Sequence, residues 1–242
     1  MRLVQVTDCH LSADPEAIYR DASPDDKLRR FGPAVDCFAP DRIVLTGDLS
    51  DDGSADSYER IRDWAMDRPA PVAWLPGNHD DRSVMAPLFE AAGFDAGPVI
   101  GAGGWQLVLL DSAWPGRTEG ELDDGRLKPL DRLDPARPAG VFVHHQPLPM
   151  GAAWIDKVPL VRPERLWSAL ADHPEVKFLA FGHVHQRFRR HYRGIECLAA
   201  PSTVANSRPA TEQFTPEPSA PVGRWFELMP DGSWRSGYLG AG

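Results

Sequence analysis

Six short apolar segments, several of them rich in β-branched residues, recur over the first 181 residues of the chain. Each one ends at a polar or glycine-containing turn, a pattern that is typical of buried β-strands. We therefore predict strands at Leu3–Val6, Ile43–Thr46, Val72–Leu75, Leu107–Leu110, Val141–Val143 and Lys177–Phe181.

Helix-like stretches lie between the predicted strands. The predicted helices are Lys27–Phe38, Ala55–Met66, Ser83–Ala92 and Arg162–Ala171. Alternation of strands and helices indicates the α/β class. The chain has 242 residues and contains neither an internal repeat nor a clear linker, so we predict a single domain spanning residues 1–242.

The pattern changes in the last quarter of the chain, where hairpin-like segments follow one another. These segments are Arg187–Ala199, Arg224–Met229 and Ser233–Leu239. They predict a second, largely antiparallel sheet as a partner layer for the first. Two other regions, Ala113–Ala139 and Ser202–Val222, are rich in proline or in turn-forming residues, and we predict long surface loops there.

The charge of the chain excludes several classes of partner. Its formal net charge is −9, which argues against nucleic acids and anionic membrane surfaces as partners. The sequence contains no run of about 18 apolar residues and no secretory signal, so we expect a cytoplasmic protein. The three cysteines, Cys9, Cys37 and Cys197, form no CxxC motif. Any metal ion must therefore be held by His, Asp, Glu or Asn.

Polar residues of one chemical kind follow the predicted strands. They are Asp8 and His10, Gly47-Asp48, Gly77-Asn78-His79-Asp80, His144-His145, and Gly182-His183-Val184-His185. Ligands of open α/β sheets bind at this edge. Side chains alternate in an extended chain, so we expect Asp8 and His10 to point the same way, as should His183 and His185. By the same argument His145 should point away from the site and serve in packing.

This donor set of carboxylates, an amide and imidazoles, without thiolates, suits divalent manganese, iron or zinc. It contains too many donors for one tetrahedral ion. The number is about right for two ions that share a bridging carboxylate, which is the arrangement that supports phosphoryl chemistry.

The same residues carry a resemblance to a known family. The five segments match, in order, the five motifs of the calcineurin-like metallophosphoesterase superfamily. The sequence around them resembles the bacterial class III 3′,5′-cyclic-AMP phosphodiesterases. The segments that carry this closer resemblance are Trp74–Asp80, His144–Pro149, Trp154–Asp156, Gly182–Gln186 and Ala200–Thr203.

The resemblance implies a four-layer αββα sandwich with two mixed β-sheets. It implies one metal ion on Asp8, His10, Asp48 and His185, and a second on Asp48, Asn78, His144 and His183, with Asp48 as the bridge. His79 matches the histidine that donates a proton or hydrogen bond to the leaving oxygen. Asp51 matches a carboxylate that orients a ligating imidazole through its other ring nitrogen.

The implied reaction is hydrolysis of 3′,5′-cyclic AMP to 5′-AMP by a hydroxide that bridges two divalent ions. Iron and manganese are the expected metals, zinc is a further candidate, and the protein is expected to be a monomer or homodimer. Two alternatives stay open. One is a broad-specificity phosphodiesterase acting on 2′,3′-cyclic nucleotides or glycerophosphodiesters, and the other is a non-catalytic binding scaffold.

The sequence is less informative about substrate contacts. Asn206 and Arg208 have suitable polar groups in the loop Ser202–Val222, and we predict that they bind the base and ribose; the alternative is that both are solvated. Trp114 and Trp154 fit either packing or stacking on a base. Asp80 is interpreted as a solvated loop acid.

Overall fold

The helices of the chain are those predicted, with additional turns in one region. The computed structural model describes residues 1–240, so the domain predicted over residues 1–242 extends two residues beyond the described part. The helices are α1 (Pro24–Phe38), α2 (Ala55–Met66), α3 (Arg82–Ala91), α4 (Asp124–Leu127), a 3₁₀ helix (Lys128–Arg132) and α5 (Glu164–Ala171). Within residues 1–240, no helix is both long enough and apolar enough to cross a lipid bilayer.

All six predicted strands are present, and further strands join them. In chain order they are β1 (Arg2–Val6), β2 (Arg42–Thr46), β3 (Val72–Leu75), β4 (Val99–Ala102), β5 (Trp105–Leu110), β6 (Gly120–Glu121), β7 (Ala139–Val143), β8 (Leu160–Val161), β9 (Val176–Phe181), β10 (Phe188–Tyr192), β11 (Ile195–Ala199), β12 (Asn206–Ser207), β13 (Pro216–Glu217), β14 (Val222–Leu228) and β15 (Trp234–Gly240).

The longer strands form two mixed sheets. The first has the order β15-β14-β1-β2-β3, in which β1, β2 and β3 are parallel, β14 is antiparallel to β1, and β15 is antiparallel to β14. The second has the order β10-β11-β9-β7-β5-β4, with its four inner strands parallel. Its two outer strands are antiparallel to their neighbours. This arrangement confirms the mixed sheets that the family resemblance implied.

Strand β2 shows why its sequence is apolar on both faces. Val44 packs in the core between the two sheets, together with Phe142 and Phe178 of the second sheet. Ile43 and Leu45 belong to a separate core that includes residues of α1, α2 and α3. A third core joins the second sheet to α5. The chain is therefore a four-layer αββα sandwich, in which the inner strands are covered on both faces.

The prediction of a long surface loop at Ala113–Ala139 is wrong. This region contains β6, α4 and the 3₁₀ helix, and its four leucines are buried, namely Leu122, Leu127, Leu130 and Leu133. Asp123 caps α4 by accepting a hydrogen bond from the Arg126 N–H. Pro129 lies in the first turn of the 3₁₀ helix, where its missing N–H is not needed, so it does not interrupt the packing.

The separate antiparallel sheet predicted for the end of the chain is also wrong. Strands β10 and β11 extend one edge of the second sheet, whereas β14 and β15 extend an edge of the first. The hairpins themselves are present, but each one completes a sheet begun earlier in the chain. Local patterns identify hairpins but do not specify which edge receives them.

A buried arginine links the edges of the two sheets. Arg224 on β14 is only 2% exposed. Its guanidinium donates hydrogen bonds to the Ala199 carbonyl at 3.0 Å, the Phe188 carbonyl at 3.0 Å, the Ser236 hydroxyl at 2.9 Å and the Tyr238 hydroxyl at 2.7 Å. Burial lowers the pKa of Arg224 to about 10. The guanidinium therefore ties β14 of the first sheet to β10 and β11 of the second.

We predict that Arg224→Met reduces the free energy of unfolding by about 2–4 kcal/mol, because it leaves buried acceptors without a donor. Urea denaturation measures this loss. Arg235→Met is the matched control, since Arg235 is 70% exposed and pairs with Glu227 within the same hairpin. The control should lose no more than about 1 kcal/mol. Equal losses in the two variants would contradict the structural role assigned to Arg224.

Candidate metal centre

The seven predicted metal ligands lie in five loops that follow β1, β2 and β3 of the first sheet and β7 and β9 of the second. Asp8 and His10 follow β1, Asp48 follows β2, Asn78 follows β3, His144 follows β7, and His183 and His185 follow β9. The carboxyl ends of these parallel strands therefore meet at one place, where ligands of α/β sheets bind.

The backbone is left-handed at five of these seven residues. The φ angles are 52° at Asp8, 48° at His10, 50° at Asp48, 66° at His183 and 48° at His185. A residue other than glycine costs about 1–2 kcal/mol in this conformation. Such a concentration of strained residues at one point indicates a functional site, because the strain lowers the stability of the fold and is typical of residues that function holds in place.

Our reason for expecting paired side chains is corrected by this finding. Strand β1 ends at Val6 and β9 ends at Phe181, so neither Asp8 and His10 nor His183 and His185 lie in extended chain. The side chains of Asp8, His10 and His185 do come together. The left-handed turns, and not strand alternation, bring them there.

Two glycines allow the loops after β2 and β3 to touch. A Cβ atom on Gly77 would lie 2.2 Å from Asp48 Oδ1, and one on Gly47 would lie 2.5 Å from the Gly77 nitrogen. Gly47 also has a φ of +89°. Any larger residue at either position would push the two loops apart.

Each of the four predicted imidazole ligands has one ring nitrogen fixed by an oxygen acceptor. His10 Nδ1 lies 3.1 Å from Asp51 Oδ1, His144 Nδ1 2.7 Å from the Thr46 carbonyl, His183 Nε2 2.9 Å from the Val158 carbonyl, and His185 Nδ1 2.7 Å from the Ala205 carbonyl. These acceptors require a proton on the bonded nitrogen. The other nitrogen of each neutral ring then has a free lone pair that can bind a metal ion.

The first group of donors is Asp8, His10 and His185. His10 Nε2 and His185 Nε2 lie 3.2 Å apart, and Asp8 Oδ1 lies 3.4 Å from the latter. With both Nδ1 atoms protonated, two lone pairs would face each other unless a cation lay between them. Two nitrogens bound at about 2.1 Å to one ion, at an angle near 100°, are about 3.2 Å apart. The donors therefore fit a shared metal ion.

The second group contains atoms that lack a protein partner. Asn78 Oδ1 and His144 Nε2 are both buried without a hydrogen bond. Asp48 Oδ2 lies 3.3 Å from His144 Nε2 and 3.9 Å from His10 Nε2, which places this carboxylate between the two groups. Burial disfavours a charged imidazole, yet the charge of Asp48 raises the pKa of His144 to about 9. The local field thus stabilises positive charge here.

His79 and Asp51 lie at the open side of the centre. The backbone N–H of His79 donates to Asp48 Oδ1 at 2.9 Å, and the ring Nδ1 of His79 lies 3.2 Å from Asp51 Oδ1. The hydrogen bond with Asp51 raises the pKa of His79 to about 9, and the same carboxylate also holds His10. The imidazole of His79 is 37% exposed and is therefore accessible to a substrate.

Asp80 is not a solvated loop acid, so that interpretation is wrong. Its carboxylate accepts hydrogen bonds from the backbone N–H groups of Leu49, Ser50 and Gly77, and from the Tyr58 hydroxyl. Desolvation and the charge of Asp48 raise the pKa of Asp80 to about 6. Asp80 thereby fastens the loop that carries Asp48 to the loop that carries Asn78. Its place directly after Asn78-His79 was the only sequence signal for this role.

Sequence reasoning also missed an aromatic group beside His10 and His185. The Tyr19 ring stacks on the His10 ring, with centroids 4.0 Å apart and an interplanar angle of 8°. Phe214 lies 6.0 Å from the His185 ring and 5.2 Å from the Trp154 ring. Three distant segments of the chain contribute these rings, and no local pattern relates them.

His145 lies beside the proposed ligands, and one of its two ring nitrogens bonds to Ser112. It is fully buried, its Nδ1 is 2.8 Å from the Ser112 hydroxyl oxygen, and its ring centroid lies 4.7 Å from that of His183. Burial and the neighbouring His183 keep the pKa of His145 well below its usual value, so the ring is neutral. The expectation that His145 points away from the site is wrong, because one of its ring nitrogens lies within 4.8 Å of a ring nitrogen of both His144 and His183, and its Nε2 is buried without a hydrogen bond. Its packing role stays a prediction.

The loop that carries Asn206 and Arg208 returns to the rim of the centre, where the Ser207 N–H donates to the His185 carbonyl. The Asn206 side chain accepts from the Ser202 N–H and donates to the Ser202 carbonyl and the Ser219 hydroxyl. These bonds favour a structural role for Asn206. Arg208 is exposed.

Comparison with known proteins identifies close relatives. The calcineurin-like phosphoesterase family matches residues 1–187. The chain is 37% identical over 240 residues to the 3′,5′-cyclic adenosine monophosphate phosphodiesterase of Pseudomonas aeruginosa, covering 97% of this chain and 88% of that protein. It is 34% identical over 242 residues to the enzyme of the same name from Escherichia coli K12, covering 96% and 87%.

Solved structures share the fold at low sequence identity. A dimetal phosphatase from Danio rerio superposes with a TM-score of 0.68 at 16% identity, covering 100% of this chain and 99% of that one. The protein TT1561 of Thermus thermophilus gives a TM-score of 0.59 at 13% identity, with coverages of 98% and 97%. At these identities the likeness concerns the fold alone.

We predict that Asp80→Asn weakens manganese binding about 10- to 100-fold, because its amide N–H₂ would face backbone N–H donors and loosen the two ligand loops. Isothermal titration calorimetry with Mn²⁺ measures the change. Tyr58→Phe is the control, since it removes only the two hydrogen bonds of the Tyr58 hydroxyl, to Asp80 and from the Asp81 N–H, and leaves the three backbone bonds to Asp80. Wild-type affinity in Asp80→Asn would refute the positioning role.

Proposed function

Because this chain belongs to the calcineurin-like phosphoesterase family, we propose that it hydrolyses 3′,5′-cyclic AMP to 5′-AMP with two divalent metal ions at the candidate metal centre. The substrate assignment is supported by relatives with this named activity, which match nearly the full length of both chains. The small-molecule substrate also agrees with the net charge of −9, which disfavours a polyanion.

The observation that carries the proposal is the convergence of two donor groups around one carboxylate. In the proposal, Asp8, His10, Asp48 and His185 hold one ion, and Asp48, Asn78, His144 and His183 hold the other. Asp48 Oδ2 faces an imidazole nitrogen of each group, which suits a bridging ligand. Iron and manganese are the proposed metals, with zinc as a further candidate, and a set of imidazoles and carboxylates suits all three.

Two ions at these ligands would supply Lewis acidity toward the phosphoryl oxygens and toward water. The residues of the chain supply position and a proton. Asp51 holds the His79 ring at the open side of the centre, within reach of an oxygen leaving the phosphorus. In the reaction, a water oxygen bonds to phosphorus, the bond from phosphorus to the ribose 3′ oxygen breaks, and His79 donates a proton or hydrogen bond to that oxygen. The attacking water releases one proton to solvent, the 3′ oxygen becomes a hydroxyl, and solvent returns to His79 any proton that it gave.

Arg208 is a further proposed substrate contact. Its guanidinium is exposed on the loop that returns to His185. Asn206 is a less suitable contact than the sequence suggested, because its amide already bonds within that loop.

The proposed function is tested by comparing substrates on metal-reconstituted protein. Values of kcat/KM for 3′,5′-cyclic AMP, 2′,3′-cyclic AMP, a glycerophosphodiester and bis(p-nitrophenyl) phosphate should be highest for 3′,5′-cyclic AMP among the natural diesters. A higher value for either of the other natural diesters would replace the proposal with a broad-specificity phosphodiesterase. Absence of turnover on all four would favour a binding scaffold.

We expect Asp48→Asn to lose at least one bound metal and nearly all activity, because the variant lacks the negative charge that lets two cations lie close together. Metal content by plasma mass spectrometry and turnover of bis(p-nitrophenyl) phosphate measure this. Asp124→Asn makes the same chemical change at a carboxylate that is 88% exposed and should keep both properties. Two bound metals with near-normal turnover in Asp48→Asn would sink the dinuclear assignment.

His79→Ala should retain metal while kcat for 3′,5′-cyclic AMP falls about 10²–10⁴-fold, the range for a positioned acid. The p-nitrophenolate group leaves without such help, so bis(p-nitrophenyl) phosphate should lose much less. The control is His191→Ala, since His191 is 62% exposed and bonds to Glu196. Equal losses on both substrates would argue against the role of His79 at the leaving oxygen.

A further inference from the structure

A cleft of about 830 Å³ opens beside the candidate metal centre. Asn78 and His79 form part of its wall, and Arg82, Asp111 and Trp114 form another part. Sites for small organic ligands usually measure about 300–1,000 Å³ and combine aromatic groups with a few polar ones. The cleft therefore has the size and lining of a ligand site that is continuous with the centre.

The proposed reaction determines which side of the centre the nucleoside occupies, and this step rests on the proposed function. His79 acts at the ribose 3′ oxygen in that reaction. The ribose and base are attached to this oxygen, so they lie on the same side as His79. The cleft is the space that His79 borders.

A second aromatic group lies beside His10 and His185, outside the lining of the cleft. There the Arg20 guanidinium lies 3.8 Å from the Phe214 ring centroid, Trp154 packs against Phe214, and Tyr19 stacks on His10. These groups already cover one another. A base could stack among them only after displacing one. In the cleft, Trp114 has one such neighbour, the Arg117 guanidinium at 5.1 Å from its ring centroid, and the partly exposed indole also borders open space.

The segment that carries Trp114 is held in place before any ligand binds. Arg126 Nη1 donates to the Ala113 carbonyl at 2.6 Å and to the Asp111 carbonyl at 3.1 Å. The Asp111 carboxylate pairs with Arg82 on α3, across the cleft wall. The Arg117 N–H closes a turn on the Trp114 carbonyl at 2.9 Å. Such prior ordering reduces the entropy that binding would otherwise lose.

From this arrangement we infer that the cleft receives the nucleobase of the substrate and that the Trp114 indole stacks on it. The indole is partly exposed and borders the space that the base would fill. Stacking on an aromatic side chain binds any nucleobase, because every base presents a π-face. The metal centre then recognises the phosphodiester, and the cleft recognises the base.

The test compares binding of 5′-AMP with that of ribose 5-phosphate, which lacks the base, to the metal-loaded protein by isothermal titration calorimetry. In the wild-type protein 5′-AMP should bind about tenfold or more tightly than ribose 5-phosphate. Trp114→Ala should reduce this ratio to near one, whereas Trp114→Phe should retain most of it. Trp225→Phe is the control, because Trp225 lies on β14, away from the cleft, and packs against Phe38 of α1.

Unchanged affinity of Trp114→Ala for ribose 5-phosphate shows that the variant is folded and its metal centre intact. Wild-type binding of 5′-AMP by that variant, or no base-dependent difference in the wild-type protein, would overturn the inference. Hydrolysis of bis(p-nitrophenyl) phosphate without hydrolysis of 3′,5′-cyclic AMP would refute the proposed substrate instead. The ratio of the two binding constants would then still decide whether the cleft takes a base.

Discussion

The contact between the loops that follow β2 and β3 is the constraint on which the rest of the site depends. Residue 77 lies so close to Asp48 that no side chain would fit there, and the glycine at this position allows the close approach. The approach lets the His79 N–H bond to Asp48, and it brings Asn78 to the same place. Asp80 stabilises the contact because its carboxylate accepts hydrogen bonds from backbone N–H groups of both loops. One close approach thus positions the proposed bridge, a proposed ligand and the proposed proton donor together.

This arrangement has an energetic cost that bound cations would reduce. Five residues of the proposed ligand set adopt left-handed backbone, two carboxylates are buried together, and the Nε2 atoms of His10 and His185 lie 3.2 Å apart. Each of these features opposes folding of the metal-free chain. Bound cations would screen the carboxylates and satisfy the lone pairs, so metal binding should contribute directly to the stability of the fold.

The sequence was a good guide where chemistry and periodicity coincide. Short apolar runs ended by Asp, Asn or His identified six strands and the position of the site, because the carboxyl ends of parallel strands must share an edge. It was a poor guide to residues 113–139, where buried leucines are spaced among proline and glycine and the helical turns are too short to show a period. The edge that each terminal hairpin joins was likewise beyond local patterns.

Contacts that join distant segments were also beyond reach of the sequence. Tyr19 stacks on His10 because the segment between them folds back, and Asp80 reaches Leu49 across two loops. Neither contact follows from spacing along the chain. The left-handed turns at His183 and His185 replaced the strand alternation that we expected, although the side chains of the site still converge.

The hydrogen bond from His144 to the Thr46 carbonyl has a wider consequence, since Thr46 ends β2 of the first sheet and His144 follows β7 of the second. The imidazole can hold its orientation only while the two sheets keep their relative offset. That offset is maintained by the aromatic core between them, in which Phe142 and Phe178 pack against Phe226. The orientation of the His144 imidazole therefore depends on the relative position of the two sheets. A slip between the sheets, far from the proposed ligands, would therefore misalign the buried His144 imidazole.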